Sequence, residues 1–141
     1  MERMHTFTTH RRVEFVDTDM GGIVHFSRYG VFMETTEHLF LESLGVAVDM
    51  EIDGRRISWP RVSVKCQYHS PARFGETLEI TLHVLRKGTK SMTYGFRFRS
   101  GEREVATGEV VAVCCEIRPG DEICSVPIPA LIADKIEETP R

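Results

Sequence analysis

One stretch of this chain has the period of a long helix, and most of what surrounds it has the period of strands. From Tyr29 to Leu44 a stripe recurs at helical spacing: Tyr29, Phe32, Met33, Thr36, Leu39, Phe40, Ser43 and Leu44. Leu41 adds apolar character beside it. Ser27 is the expected N-cap, although Gly30 three residues on rules out a capping box. Gly45 is the expected C′ residue. A helix of about four turns with so broad an apolar face has to be covered. With only one such helix, the cover has to be a sheet.

The sheet is visible as alternation. Thr8–Val16 sets Arg11, Val13 and Phe15 on one face. Trp59–His69 sets Val62, Val64, Cys66 and Tyr68 on one face. Thr77–Leu85 alternates Leu78, Ile80, Leu82 and Val84 with polar residues, and Ser91–Arg99 does the same with Met92, Tyr94, Phe96 and Phe98. Glu104–Ile117 is apolar at nearly every position in its second half, as in a strand covered on both faces. Ala47–Ser58 reads as a loop, and Ile128–Glu138 as a short surface helix. The connections 70–75, 86–90 and 100–103 are short, so neighbouring strands run antiparallel. The expectation is one α+β domain over residues 1–141, with a curved antiparallel sheet around the helix. Such a sheet leaves edges free, and an edge strand is a natural route to a dimer.

Composition removes several function classes. The chain has 18 basic and 21 acidic residues, a net charge of −3, which suits a general nucleic-acid binder poorly. No apolar stretch is long enough to span a bilayer, and the first residues lack a signal-peptide core, so a cytoplasmic location is expected. Cys66, Cys114, Cys115 and Cys124 show no metal-ligand spacing and read as small apolar residues in a reducing compartment. Serine-hydrolase, dinucleotide, P-loop and zinc-protease motifs are absent. No metal or cofactor is expected.

Between the first strand and the helix runs Asp17-Thr18-Asp19-Met20-Gly21-Gly22-Ile23-Val24-His25-Phe26-Ser27-Arg28-Tyr29. Two carboxylates before a helix start are often only a turn. In a functional reading, one carboxylate is aimed at a substrate carbonyl while helix-start N–H groups from Ile23 to Phe26 meet its oxygen. His25 is either a base or a structural ring. Glu34 and Glu37 lie either on a solvated helix side or against a pocket. Trp59 is either packing or the flank of an acyl or aromatic group. Arg86, Lys87 and Lys90 form either a solvated hairpin tip or a landing site for phosphates.

The run from Val13 to Tyr29 resembles the hot-dog-fold acyl-CoA thioesterases of the 4-hydroxybenzoyl-CoA thioesterase type, together with their Tol–Pal-associated relatives. The shared pattern is hydrophobic-x-F-x-D-x-D-x-x-G-I-V followed shortly by Tyr, and the order of elements agrees from about Thr8 to Ile117. The resemblance implies a five-stranded antiparallel sheet wrapped around one long central helix. It implies a homodimer with sites between subunits, paired again into a homotetramer. It assigns catalysis to Asp19, as nucleophile or general base, and a structural role to Asp17. It assigns oxyanion binding to the backbone N–H groups of Val24, His25 and Phe26. In relatives the basic hairpin meets the CoA phosphates of the acyl-CoA substrate; Lys90, followed by Ser91, is the best match to that pattern, ahead of Arg86 and Lys87. His25-Phe26 departs from the Tyr or Trp then Tyr or His of many relatives. Other hot-dog branches use a helix Glu, which keeps Glu34 and Glu37 in reserve. The competing reading is a non-catalytic acyl-CoA or acyl-carrier binding module on the same fold. A hydratase or dehydratase on this fold fits less well, because Asp19 and His25 lack its spacing.

Overall fold

The long helix and the sheet that covers it dominate a computed structural model of the chain, which describes residues 2–141. Strand β1 (Thr6–Arg12) leads through a 3-10 turn (Phe15–Asp17) and a loop into α1 (Phe26–Ser43). Strands β4 (Arg61–Tyr68), β5 (Thr77–Lys87), β6 (Ser91–Ser100) and β7 (Arg103–Val113) then complete a five-stranded antiparallel sheet of order β1-β5-β6-β7-β4. This is the hot-dog arrangement. Phe32, Met33 and Phe40 of α1 pack on Leu78, Ile80 and Leu82 of β5 and on Tyr94, Phe96 and Phe98 of β6, all buried. Gly108 lets the helix lie this close: a Cβ there would overlap Met33 Sδ.

The helix starts earlier than its stripe suggests, at Phe26, and its N-cap is His25 rather than Ser27. His25 Nδ1 accepts the Ser27 N–H at 3.2 Å. At the other end the Val46 N–H donates to Leu41 O and the Gly45 N–H to Glu42 O, a Schellman closure with Gly45 at φ 77°. Strand β1 ends at Arg12, four residues short of the expected end, and Phe15 is 80% exposed. The Glu14 N–H donates to the Asp17 carboxylate at 2.8 Å, and this bond bends the chain out of the sheet.

A second sheet was not expected. The segment read as a loop contains the hairpin β2 (Asp49–Ile52) and β3 (Arg55–Ser58) around Asp53-Gly54, whose φ values are 52° and 77°. The long last strand divides at Cys114. Its N–H donates to Lys90 O and its carbonyl accepts the Val126 N–H, so β8 (Cys115–Arg118) diverges to pair with β3 and with β9 (Glu122–Ser125). The order of this sheet is β2-β3-β8-β9. The C-terminal helix α2 is shorter than expected, covering only Ala130–Ala133. All four cysteines are free, and among the described residues no helix is long and apolar enough to cross a membrane.

Strand β4 is an edge of the main sheet. Its expected inward face is open: Val62 and Val64 are 64% and 57% exposed, and Tyr68 is half exposed. An edge with unpaired backbone groups and an apolar face is poorly suited to water.

Candidate active site

The loop between β1 and α1 is held by one buried carboxylate and presents the other. Asp17 is fully buried. Its Oδ1 accepts Nε and Nη2 of Arg28, both at 2.8 Å, with Arg11 Nη2 at 3.8 Å. Its Oδ2 accepts the Glu14 N–H, and its carbonyl accepts the His25 N–H at 2.9 Å. Every part of Asp17 is therefore engaged in tying the loop to the helix start.

Asp19 is exposed. Its Oδ1 accepts the Gly21 N–H at 2.8 Å, which orients the carboxylate, while Oδ2 has no partner among the described residues. The Asp19 N–H donates to Ile23 O and the Gly22 N–H to Asp19 O, closing a tight turn with Gly22 at φ 77°. Asp19 stands where two clefts meet. One, of about 490 Å³, is lined by Ile23, Val24, Phe26, Tyr29 and Tyr68 with the 69–71 segment. The other, of about 640 Å³, is lined by Phe15, Met20 and Phe74.

The three expected backbone donors are not equivalent. The Val24 N–H donates to Ala72 O at 2.8 Å and the His25 N–H to Asp17 O, so neither is available to a ligand in this conformation. The Phe26 N–H, the first of the helix, has no acceptor among the described residues, and Phe26 is one of the residues that line the Asp19 cleft. The His25 ring is occupied in capping: Nδ1 faces both the N–H and Oγ of Ser27, and the ring lies 4.5 Å from that of Phe26.

The expected substrate-binding residues also separate. Trp59 is only 3% exposed and belongs to the core, which corrects its reading as a flank for the acyl group. Lys87 Nζ donates to Ala133 O and Ile136 O, both at 2.9 Å, so it anchors the C-terminal segment and is not a free phosphate ligand. Arg86 and Lys90 are exposed. Glu34 is exposed beside His38. Glu37 is buried and ion-paired with Arg61, at the wall of a small cavity that also includes Met33, Val64 and Phe96. Burial pulls the Arg61 guanidinium below its usual value.

Sequence reasoning placed Tyr29 in the core stripe and missed that it also lines the Asp19 cleft. Burial, reinforced by neighbouring Cys66 and Tyr68, pushes its hydroxyl up to about 12. The first-turn position, shared with Phe26, was the available signal. No cluster of His, Cys, Asp or Glu suited to a metal occurs among the described residues.

A 1,4-dihydroxy-2-naphthoyl-CoA hydrolase of Prochlorococcus marinus is 24% identical over 107 residues, covering 71% of this chain and 69% of that protein. The acyl-CoA thioester hydrolase YbgC of Escherichia coli is 26% identical over 106 residues, covering 74% of this chain and 78% of that protein. The solved structure of a gentisyl-coenzyme A thioesterase superposes with a TM-score of 0.79 at 29% identity, over 90% of this chain and 99% of that one. The family model for the thioesterase superfamily matches residues 21–107, from the glycine pair of the Asp19 loop through α1 and most of the sheet. By that match, which spans more than half its length, the chain belongs to the thioesterase superfamily.

Proposed function

We propose that this protein hydrolyses acyl-CoA thioesters to a carboxylic acid and free CoA, with Asp19 as the catalytic carboxylate. One observation carries the reading: Asp19, with one oxygen oriented by the Gly21 N–H and the other free, lines the same cleft as Phe26, whose N–H is unpaired. The thioester carbonyl oxygen accepts from Phe26. Asp19 Oδ2 then either attacks the carbonyl carbon or takes a proton from the attacking water. On both routes negative charge grows on the carbonyl oxygen, where a fixed donor lowers the barrier, by about 3–4 kcal/mol for a strong one. Collapse expels the CoA thiolate. On the nucleophilic route, water then cleaves the acyl–Asp19 anhydride.

The open β4 edge supports a homodimer joined through that strand, with each site completed near the partner, and the family resemblance extends this to a pair of dimers. Arg86 and Lys90 are the cations assigned to the CoA phosphates.

The test is a thiol-release assay over acyl-CoAs of varied length and aromaticity, gentisyl-CoA included. Turnover that disappears in Asp19→Ala supports the reading. Tight binding of acyl-CoA with no release of CoA replaces it with a binding module.

A further inference from the structure

The Phe26 N–H is a single donor, whereas a tetrahedral oxyanion has room for more than one. We propose that the Tyr29 hydroxyl is the second donor to the thioester carbonyl oxygen, which makes Tyr29 a catalytic residue. The inference rests on the thioesterase reading above.

Three observations support it. First, Tyr29 lies three residues after Phe26, on the same face of the first turn of α1, and lines the same cleft as Asp19. Helical side chains lean toward the N-terminus, so the Tyr29 side chain leans back toward the level of the Phe26 N–H. Second, the ring is held rigidly, 3% exposed, by edge contacts with Phe32, Tyr68 and Phe98 at centroid distances of 5.9, 5.1 and 5.4 Å. Third, no hydrogen bond to the chain engages its hydroxyl among the described residues, whereas the Tyr68 hydroxyl lies 3.4 Å from Phe26 O. Phenylalanine would supply the same packing without a polar atom to desolvate. The hydroxyl is the part of Tyr29 that the fold does not use.

The chemistry is a hydrogen bond, not a proton transfer. The phenol keeps its proton throughout, consistent with a hydroxyl pushed up to about 12 by burial. Its O–H bond strengthens its contact as charge develops on the carbonyl oxygen, and nothing is oxidised, reduced or transferred.

Tyr29→Phe removes one oxygen atom and leaves the ring. The expected result is a kcat lower by about a hundredfold, KM within about twofold, and an unchanged or higher Tm. Tyr94→Phe, which removes a phenol oxygen buried in the core and away from the cleft, serves as the control and keeps kcat. A second readout does not depend on turnover: the infrared band of a 13C-labelled thioester carbonyl bound to Asp19→Asn. It lies lower than in water, and part of that shift disappears in Asp19→Asn/Tyr29→Phe. A kcat within twofold of wild type in Tyr29→Phe, or a carbonyl band indifferent to the hydroxyl, overturns the proposal. If the wild-type protein cleaves no thioester, the functional reading fails, and the infrared comparison still decides whether Tyr29 donates to a bound carbonyl.

Discussion

Arg28, in the first turn of α1, places both Nε and Nη2 at 2.8 Å from Oδ1 of the buried Asp17. This pair joins the 3-10 turn after the first strand to the start of the helix, and the loop it closes carries Asp19 and leads into Phe26. Removing Arg28 leaves Asp17 with Glu14 and the more distant Arg11. Arg28→Leu is expected to cost about 2–3 kcal/mol, below the range for a fully buried pair because Arg28 is partly exposed. Urea unfolding measures the cost, and kcat should fall with it while Arg28→Lys recovers part of both.

A second anchor predicts a pH dependence. Glu76 accepts the Arg73 N–H at 2.6 Å and Arg103 Nη2 at 2.7 Å, and Arg103 also reaches Pro71 O. Burial raises the Glu76 carboxyl, but the Arg73 N–H, Arg103 and Ser100 outweigh it and hold it below the usual carboxylate range. A depressed carboxyl stabilises the fold above its unfolded pKa, about 4.3 for Glu, and that contribution is lost as pH falls through the lower folded value. The stability gap between wild type and Glu76→Gln should therefore be full near neutral pH and close as the pH drops below about 4. Thermal melts across that window measure it.

The hairpin cations are expected to divide in their effects. Lys90→Ala and Arg86→Ala should each raise KM for acyl-CoA several-fold at low salt, with Tm unchanged, and the effect should shrink as salt is added. Lys87→Ala should do the reverse, lowering Tm by freeing the carbonyls of Ala133 and Ile136 while leaving KM near its original value.

The β4 edge is expected to carry the dimer. Val64→Glu places a charge on its exposed apolar face, and like charges meeting across a two-fold interface repel. Sedimentation should show a dimer or a pair of dimers in the wild type and a species of half that mass in the variant. A wild-type protein that sediments as a monomer contradicts the assignment.

The helix and the antiparallel sheet were legible because their periods, 3.6 and 2, are written in residues such as Phe32, Met33 and Phe40 or Leu78, Ile80 and Leu82. The β2–β3 hairpin was not, because its four-residue strands are mostly polar and only Asp53-Gly54 marks the turn. The break at Cys114 carries no glycine or proline; partners distant in sequence, Lys90 and Val126, impose it. The same limit applies at the site. Asp19 and Asp17 were separable by motif. Which N–H remained unpaired depended on where Ala72 and Asp17 carbonyls fell, and which lysine remained free depended on where α2 docked.

Asp19, proposed to perform the chemistry on a thioester carbonyl held at the helix start, can be tested by a single substitution. The most direct measurement is kcat for CoA release by wild type and Asp19→Asn on the best acyl-CoA of the panel. Asp19→Asn retains the size of the side chain and an acceptor for the Gly21 N–H. The expected loss of kcat in Asp19→Asn is about a hundred- to ten-thousandfold, with acyl-CoA binding retained. An Asp19→Asn protein that turns over within a few-fold of wild type contradicts the role proposed for Asp19.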